Sequence, residues 1–281
     1  MTKATGIKGS RASRFWLQFT LLIVSIAFLT PLVYILANSF KSQAEIWQVP
    51  QTFLPQVWSL ENYLLVAENG RFAAYFVNSL VITVGSVLLT TAAAALAGYG
   101  FAKLPFRGRG VLLGFILFTL TIPLAIFLVP MFLMENAAGL LNTQLGLILP
   151  NVAVHLPFTI LIMRAAFLGI PREIEESATM DGAGPFRQWW EIMLPMARNG
   201  IVLVVIMATY TTWGEYTLAK TLATEPTAMP LTIGLTLLKS ETWQYGVLAA
   251  VIVLAVLPPI IVFVIFQRHI VSGITQGASK G

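Results

Sequence analysis

Cysteine is absent from the 281 residues, histidine occurs twice, and charged side chains make up only 10% of the chain. The first absence excludes a disulfide-held secreted scaffold. Two histidines (His155 and His269) without cysteine leave no donor set for a metal centre, so none is expected. The scarcity of charge excludes most. A soluble domain is roughly one-quarter charged, so a water-soluble fold of this size would lack its polar shell. The 57% hydrophobic content excludes disorder as well. No internal repeat, low-complexity tract, Ser-His-Asp set or paired-carboxylate constellation can be assembled. A phosphate-cradling loop is missing too. The closest match, Gly214 to Thr221, has Ala219 in place of the second glycine and ends an apolar run instead of joining a strand to a helix.

Six apolar stretches remain, at about 15–37, 73–97, 111–134, 146–166, 200–219 and 245–267. Each is close to the ~20 residues that cross a hydrocarbon core as helix. Their runs are continuous (LLIVSIAFL, VLLGFILFTL), not the alternation of a membrane barrel. The expectation is one all-α membrane domain over 1–281 with six transmembrane helices. SFKSQAEIW follows the first run where a small-residue cleavage pattern would be needed, so that run is expected to stay as an anchor.

Lys and Arg set the orientation. Thirteen of the 17 fall in the N-terminus (Lys3, Lys8, Arg11, Arg14), the loop after span two (Lys103, Arg107, Arg109), the loop after span four (Arg164, Arg172, Arg187, Arg198) and the tail (Arg268, Lys280). Only Lys41, Arg71, Lys220 and Lys239 fall on the other side. The rich side is cytoplasmic by the positive-inside rule, which puts both termini inside. The long outer loop, about 38–72, should hold a short interfacial helix among Trp47, Trp58 and Tyr63.

The segment GIPREIEESATMDGAGPFRQWWEIMLPMARNG is the most informative. Pro171 suits the first turn of a helix. Glu173, Glu175 and Glu176 favour its N-terminal dipole. Asp181-Gly182-Ala183-Gly184 breaks it, with Gly182 able to take left-handed angles. Pro185 opens a second helix, in which Phe186, Trp189, Trp190 and Met193 share one apolar face, and Pro195 ends it. The pattern predicts two short helices around a tight turn.

The spacing of this segment is specific. Glu176-Ser177-Ala178, Gly182, and then Ile192-x-Leu194-Pro195 resemble the Glu-Ala-Ala signature of permease subunits of binding-protein-dependent ABC importers, in the maltose-type and glycerol-phosphate-type carbohydrate branch. LNTQLGLILP (141–150), PFTILIMRAAF (157–167), PLVYILANSFKSQAEI (31–46), Asn78-Ser79 and the tail QRHIVSGITQGASKG extend the likeness over nearly the whole chain. The tail resembles that of the second, shorter subunit of the pair. Ser177 replaces the usual Ala, and Arg198-Asn199 stands where a proline is common.

The resemblance implies a type I ABC importer permease fold in a bacterial or archaeal plasma (inner) membrane. Loop 168–199 would be a coupling helix pair seated on an ATPase subunit, with Glu176, Ser177, Ala178, Asp181, Gly182, Ala183, Ile192, Leu194 and Pro195 as contact and hinge residues. It implies a second permease chain, two ATPase subunits that bind ATP and Mg, and an extracytoplasmic binding protein. This chain would bind no cofactor or nucleic acid and catalyse nothing itself. In maltose-type relatives the loop equivalent to 220–244 reaches the binding protein, which marks Glu225 and Pro226.

Polar residues in spans usually face the bundle interior or a wet cavity. Asn78, Asn151, His155, Tyr210, Trp213, Glu215 and Tyr216 are therefore candidates for a solute path, against the alternative of interhelical hydrogen bonds. Trp213-Gly214-Glu215-Tyr216 resembles the family's Trp-Asn-x-aromatic stretch. Prolines 31, 123, 130, 150, 157, 258 and 259 should bend the spans. The rival reading is a secondary transporter driven by protons through Glu215 or His155.

Overall fold

Apolar runs of this length fold as helices because hydrocarbon offers no partner to a free N–H or C=O, so each segment must satisfy its own backbone. The computed structural model describes residues 11–68, 70–241 and 244–278, and no strand occurs among them. The helices in order are α1 (Arg11–Ser39), α2 (Gln43–Ile46), α3 (Glu61–Glu68), α4 (Gly70–Lys103), α5 (Arg109–Thr119), α6 (Leu124–Ala137), α7 (Leu145–Leu168), α8 (Arg172–Met180), α9 (Pro185–Arg187), α10 (Leu194–Met196), α11 (Arg198–Trp213), α12 (Thr217–Leu222), α13 (Leu231–Glu241) and α14 (Tyr245–Ala278). A wider π turn, Gln188–Met193, joins α9 to α10.

Ser13–Ser39, α4, α7 and Tyr245–Arg268 are each long and apolar enough to cross a bilayer. Two further apolar lengths are bent. α5 meets α6 at 98°, and Pro185–Met196 meets α11 at 73°. Counting each bent pair once gives six. The first bend lies just before Pro123, which takes extended angles as the N-cap of α6. The apolar stretch 200–219 is also interrupted: α11 stops at Trp213, and α12 restarts the helix at Thr217.

The chain divides into two compact units. One comprises Met1–Glu68 and Lys239–Leu254. Its order comes from polar staples. The buried Asn62 donates to the carbonyls of Ser39 and Lys41 at 2.9 and 2.8 Å, closing the end of α1. The Glu45 carboxylate accepts from Thr52 Oγ1 and Gln56 N, which folds the long loop back on α2. The apolar side chains of α1 from Phe15 to Val33 are exposed.

The other unit comprises Asn69–Leu238 and Ala255–Gly281, and it carries the main core. Small residues let its helices touch. A Cβ on Gly98 of α4 would lie 2.5 Å from Met163 Cβ of α7, and one on Gly200 of α11 would lie 2.5 Å from Ala166 Cβ. Where lipid is as apolar as leucine, such close approach is what holds helices together. Ala94, Ala95, Tyr99 and Ala102 of α4 pack with Met163 and Phe167 of α7 and Val204 of α11. The buried hydroxyls of Ser86, Thr90, Thr159, Thr209 and Thr212 also lie on these three helices.

Candidate functional site

The segment 168–199 builds its two helices around one turn. Pro171 is the N-cap of α8, one residue earlier than the first-turn position its sequence suggests. α8 ends in a left-handed glycine cap: Gly182 has φ +76°, Ala183 N–H donates to Ala178 O, and Gly182 N–H donates to Thr179 O, both at 3.0 Å. This paired bonding satisfies carbonyls that a helix end would leave free. Gln188 ties the helices across the turn, donating to Thr179 Oγ1 at 2.9 Å and Ala183 O at 2.8 Å. The second helix runs past Pro195 to Met196, and the bend falls at Ala197. The π turn lies just ahead of Pro195, which has no N–H for the carbonyl of Glu191.

The segment has two faces. Ala178 and Met193 are buried, and Ile174, Trp189 and Leu194 pack beside the same core as Tyr99 and Phe167. Glu176, Ser177, Asp181, Gly182 and Pro195 are exposed, while Ala183 and Ile192 are half-buried. Met180, Phe186 and Trp190 join the outer face at 88%, 74% and 57% exposure. These three large apolar side chains lie beside the exposed Glu176, Ser177, Asp181 and Gly182 and form an exposed apolar patch. Arg187 donates to Glu191 at 2.8 Å on this face, and that carboxylate raises its pKa above the usual guanidinium value.

The inner face is fastened by Lys103, the last residue of α4. Its ammonium donates to Ile170 O at 2.8 Å and pairs with the Glu175 carboxylate of α8. The carbonyls at this end of α4 also accept from Arg164 of α7, which donates to Phe101 O, and from Arg109 of α5, which donates to Ala102 O. Cations here complement the negative end of the helix dipole.

The polar residues of the spans divide by partner. Trp213 Nε1 donates to Ala255 O at 3.0 Å. That carbonyl lies four residues before Pro259, which has no N–H to claim it, so the indole replaces the missing helix bond. Tyr210 Oη donates to Pro259 O at 3.2 Å. The Glu215 carboxylate accepts from Leu218 N at 2.8 Å and Ala219 N at 2.9 Å, and so caps α12. Asn151 donates to Leu147 O, while its Oδ1, His155 Nδ1 and Thr212 Oγ1 have no hydrogen-bond partner among the described residues. Asn151, Thr212 and Glu215 line a cleft of about 10 Å³, room for one water and far less than a sugar ring. Tyr216 is exposed.

Asn78 faces the loop 223–230 instead. Its Nδ2 donates to Thr227 O and Met229 O, both at 3.1 Å, and its Oδ1 accepts from Gln144. Ser79 Oγ accepts from Leu231 N at 2.7 Å. Asn142, at φ +60°, accepts through Oδ1 from Thr224 N and Glu225 N. Asn tolerates that left-handed backbone better than other side chains with a Cβ. The loop is therefore pinned at its base, with Thr224, Glu225, Pro226 and Thr227 exposed at its tip.

Sequence reasoning passed over Lys103, Glu175 as an ion-pair partner, Gln188 and Asn142. Asn142 and Gln144 sit inside LNTQLG, so a polar pair just ahead of a span was the available signal. In the sequence Lys103 signals nothing beyond a cytoplasmic charge.

The chain's residues 90–276 match the family model described as the binding-protein-dependent transport system inner membrane component. Among named proteins, the diacetylchitobiose uptake system permease protein NgcG of Streptomyces coelicolor is 35% identical, over 92% of this chain and 87% of that protein. The trehalose transport system permease protein SugB of Mycobacterium tuberculosis is 32% identical, over 97% of this chain and all of that protein. The fold matches, with a TM-score of 0.81 and 26% identity, a chain in the crystal structure of a bacterial ABC transporter involved in the import of the acidic polysaccharide alginate, covering 94% of this chain and 99% of that one. A left-handed cap in a short helix pair, an exposed apolar patch beside it and a match over most of the chain lead to one conclusion: the protein belongs to the binding-protein-dependent transport system inner membrane component family, the permease subunits of ABC importers.

Proposed function

We propose that this chain is one of two permease subunits of an importer for an oligosaccharide or similarly hydroxyl-rich solute, seated in the bacterial inner membrane with both termini in the cytoplasm. The docking face of residues 168–199 carries this reading. It joins exposed Met180, Phe186 and Trp190 to Glu176 and the Gly182 turn. A cleft on an ATPase subunit is the partner such a face fits: apolar bulk fills it and the acids meet a basic rim. ATP and Mg are bound by that partner. When ATP draws two ATPase subunits together, their clefts move the seated helices, and the helix core behind them turns the pathway outward to receive solute from the binding protein.

Carbohydrate is supported by the names of the relatives, which import diacetylchitobiose, trehalose and alginate. The pinned loop 223–230, with Glu225 and Pro226 at its tip, is the surface for the binding protein. The amide bonds on the Glu215 carboxylate favour a capping role over proton carriage. The test is to reconstitute the chain with its partner permease, ATPase and binding protein, and to measure uptake of a panel of labelled oligosaccharides. ATP-dependent uptake of at least one is expected. Uptake that follows a proton gradient without ATP would refute the reading.

A further inference from the structure

α4 differs from the other helices long enough to span. α1, α7 and α14 each contain proline, and α4 contains none over its 34 residues. An unbroken helix resists bending because no backbone bond is missing. It is also fastened at both ends. Near its start, Asn78 and Ser79 hold the backbone of the loop 227–231 by three hydrogen bonds. At its last residue, Lys103 holds Ile170 O and the Glu175 carboxylate of the docking segment. The two fastenings are about 38 Å apart along the helix at 1.5 Å per residue.

The lower fastening is sheltered from solvent. The Lys103 side chain is 6% exposed and that of Glu175 is 21%, so the pair is screened less than a surface pair. Ile174 and Ala178 of α8 also meet the core, and such apolar contacts set distance but not direction. The ion pair and the Ile170 bond are directional and fix how α8 turns with α4. Between the two fastenings, near its C-terminal end, α4 is held close to α7, because Gly98 lies against Met163 too closely to admit a methyl group.

We propose that α4 is a connecting rod between the ATPase-facing segment and the loop that meets the binding protein, and that Lys103 is the positioning residue that engages it. Movement of α8 is carried to Thr227–Leu231 on the far face, and arrival of the binding protein at that loop is carried back. The inference rests on the reading of 168–199 as the ATPase seat.

The test uses the complete importer in proteoliposomes and the ratio of binding-protein-stimulated to basal ATP hydrolysis. Glu175→Gln removes the charge with little change of shape, and Ser79→Ala removes one hydrogen bond at the other end. Each should lower the ratio roughly three- to tenfold, the effect expected of a residue on a coupling route, with ATPase content per permease equal to wild type. The swap Lys103→Glu with Glu175→Lys should recover part of the loss, which a packing defect would not. Wild-type ratios in both single variants would overturn the proposal. So would a loss that appears only together with loss of bound ATPase, since Glu175 would then act in docking. A wild-type chain that retains no ATPase refutes the seat itself and is distinguished from both by the ATPase content.

Discussion

Replacing Gly182 isolates the turn between the two short helices of 168–199 from everything around it. Its φ of +76° is a conformation that L side chains avoid, and a Cβ built there meets nothing within 4 Å. The cost of Gly182→Ala is therefore almost wholly backbone, about 1 kcal/mol. The segment is held independently by Met193 and Ala178 in the core and by Lys103 on Glu175, so the chain should still fold and insert. If the ATPase recognises the turned segment, that cost should appear in its affinity as a weakening of about fivefold. The series adds a sharper expectation. Asn tolerates positive φ and should fall between Gly and Ala, while Val, with its branched Cβ, should be worst. The assay is titration of the ATPase subunit onto the permease pair in nanodiscs, reading Kd for each variant. Equal affinities for Gly, Ala and Val would refute the argument, because they would show that the left-handed turn is not part of what the ATPase binds.

The remaining predictions concern orientation and helix repair. Single cysteines at Arg107 and Gly184 should be shielded from a membrane-impermeant thiol reagent in intact cells, while one at Val57 should react; labelling of Arg107→Cys from outside would reverse the proposed topology. Arg107 serves better than neighbouring Gly108, whose φ of +83° would strain any cysteine placed there. Trp213→Phe keeps an aromatic face but loses the five-membered ring whose N–H reaches Ala255 O, and the lost hydrogen bond and packing together should cost at least about 1 kcal/mol in detergent unfolding. An unchanged midpoint would mean that the carbonyl finds another partner.

The short helix pair of 168–199 and its turn were legible in the sequence because their signals are local. Pro171, Gly182 and Pro185 punctuate the pair, but the single apolar face read from Phe186, Trp189, Trp190 and Met193 is divided in the fold: Trp189 and Met193 pack against the core, while Phe186 and Trp190 are exposed. Element type was legible for the same reason, since apolar runs of this length have few alternatives to helix. The 98° bend between α5 and α6 was not. Pro123 announces an interruption, but its angle depends on what the two halves pack against. The fastening residues were hidden for a further reason. Lys103 and Glu175 stand 72 positions apart, and Asn142 lies 82 and 83 positions from the amides it holds, so neither pairing leaves a periodic trace. Trp213 and Asn78 stood out as polar groups at membrane depth, but a polar group does not state its partner. In the fold these side chains reach backbone carbonyls on α14 and in the loop 223–230.

The bond between Trp213 and Ala255 also constrains the order in which the sequence can change. An alanine at position 259 would carry an N–H of its own, claim the Ala255 carbonyl within α14, and leave the indole free to be replaced. A lineage that loses the proline first passes through a chain in which the Ala255 carbonyl keeps a donor throughout. One that loses the tryptophan first must pass through a bare carbonyl in hydrocarbon. The two positions are thus energetically coupled, and the order of change that keeps the Ala255 carbonyl satisfied runs from 259 to 213 and not the reverse.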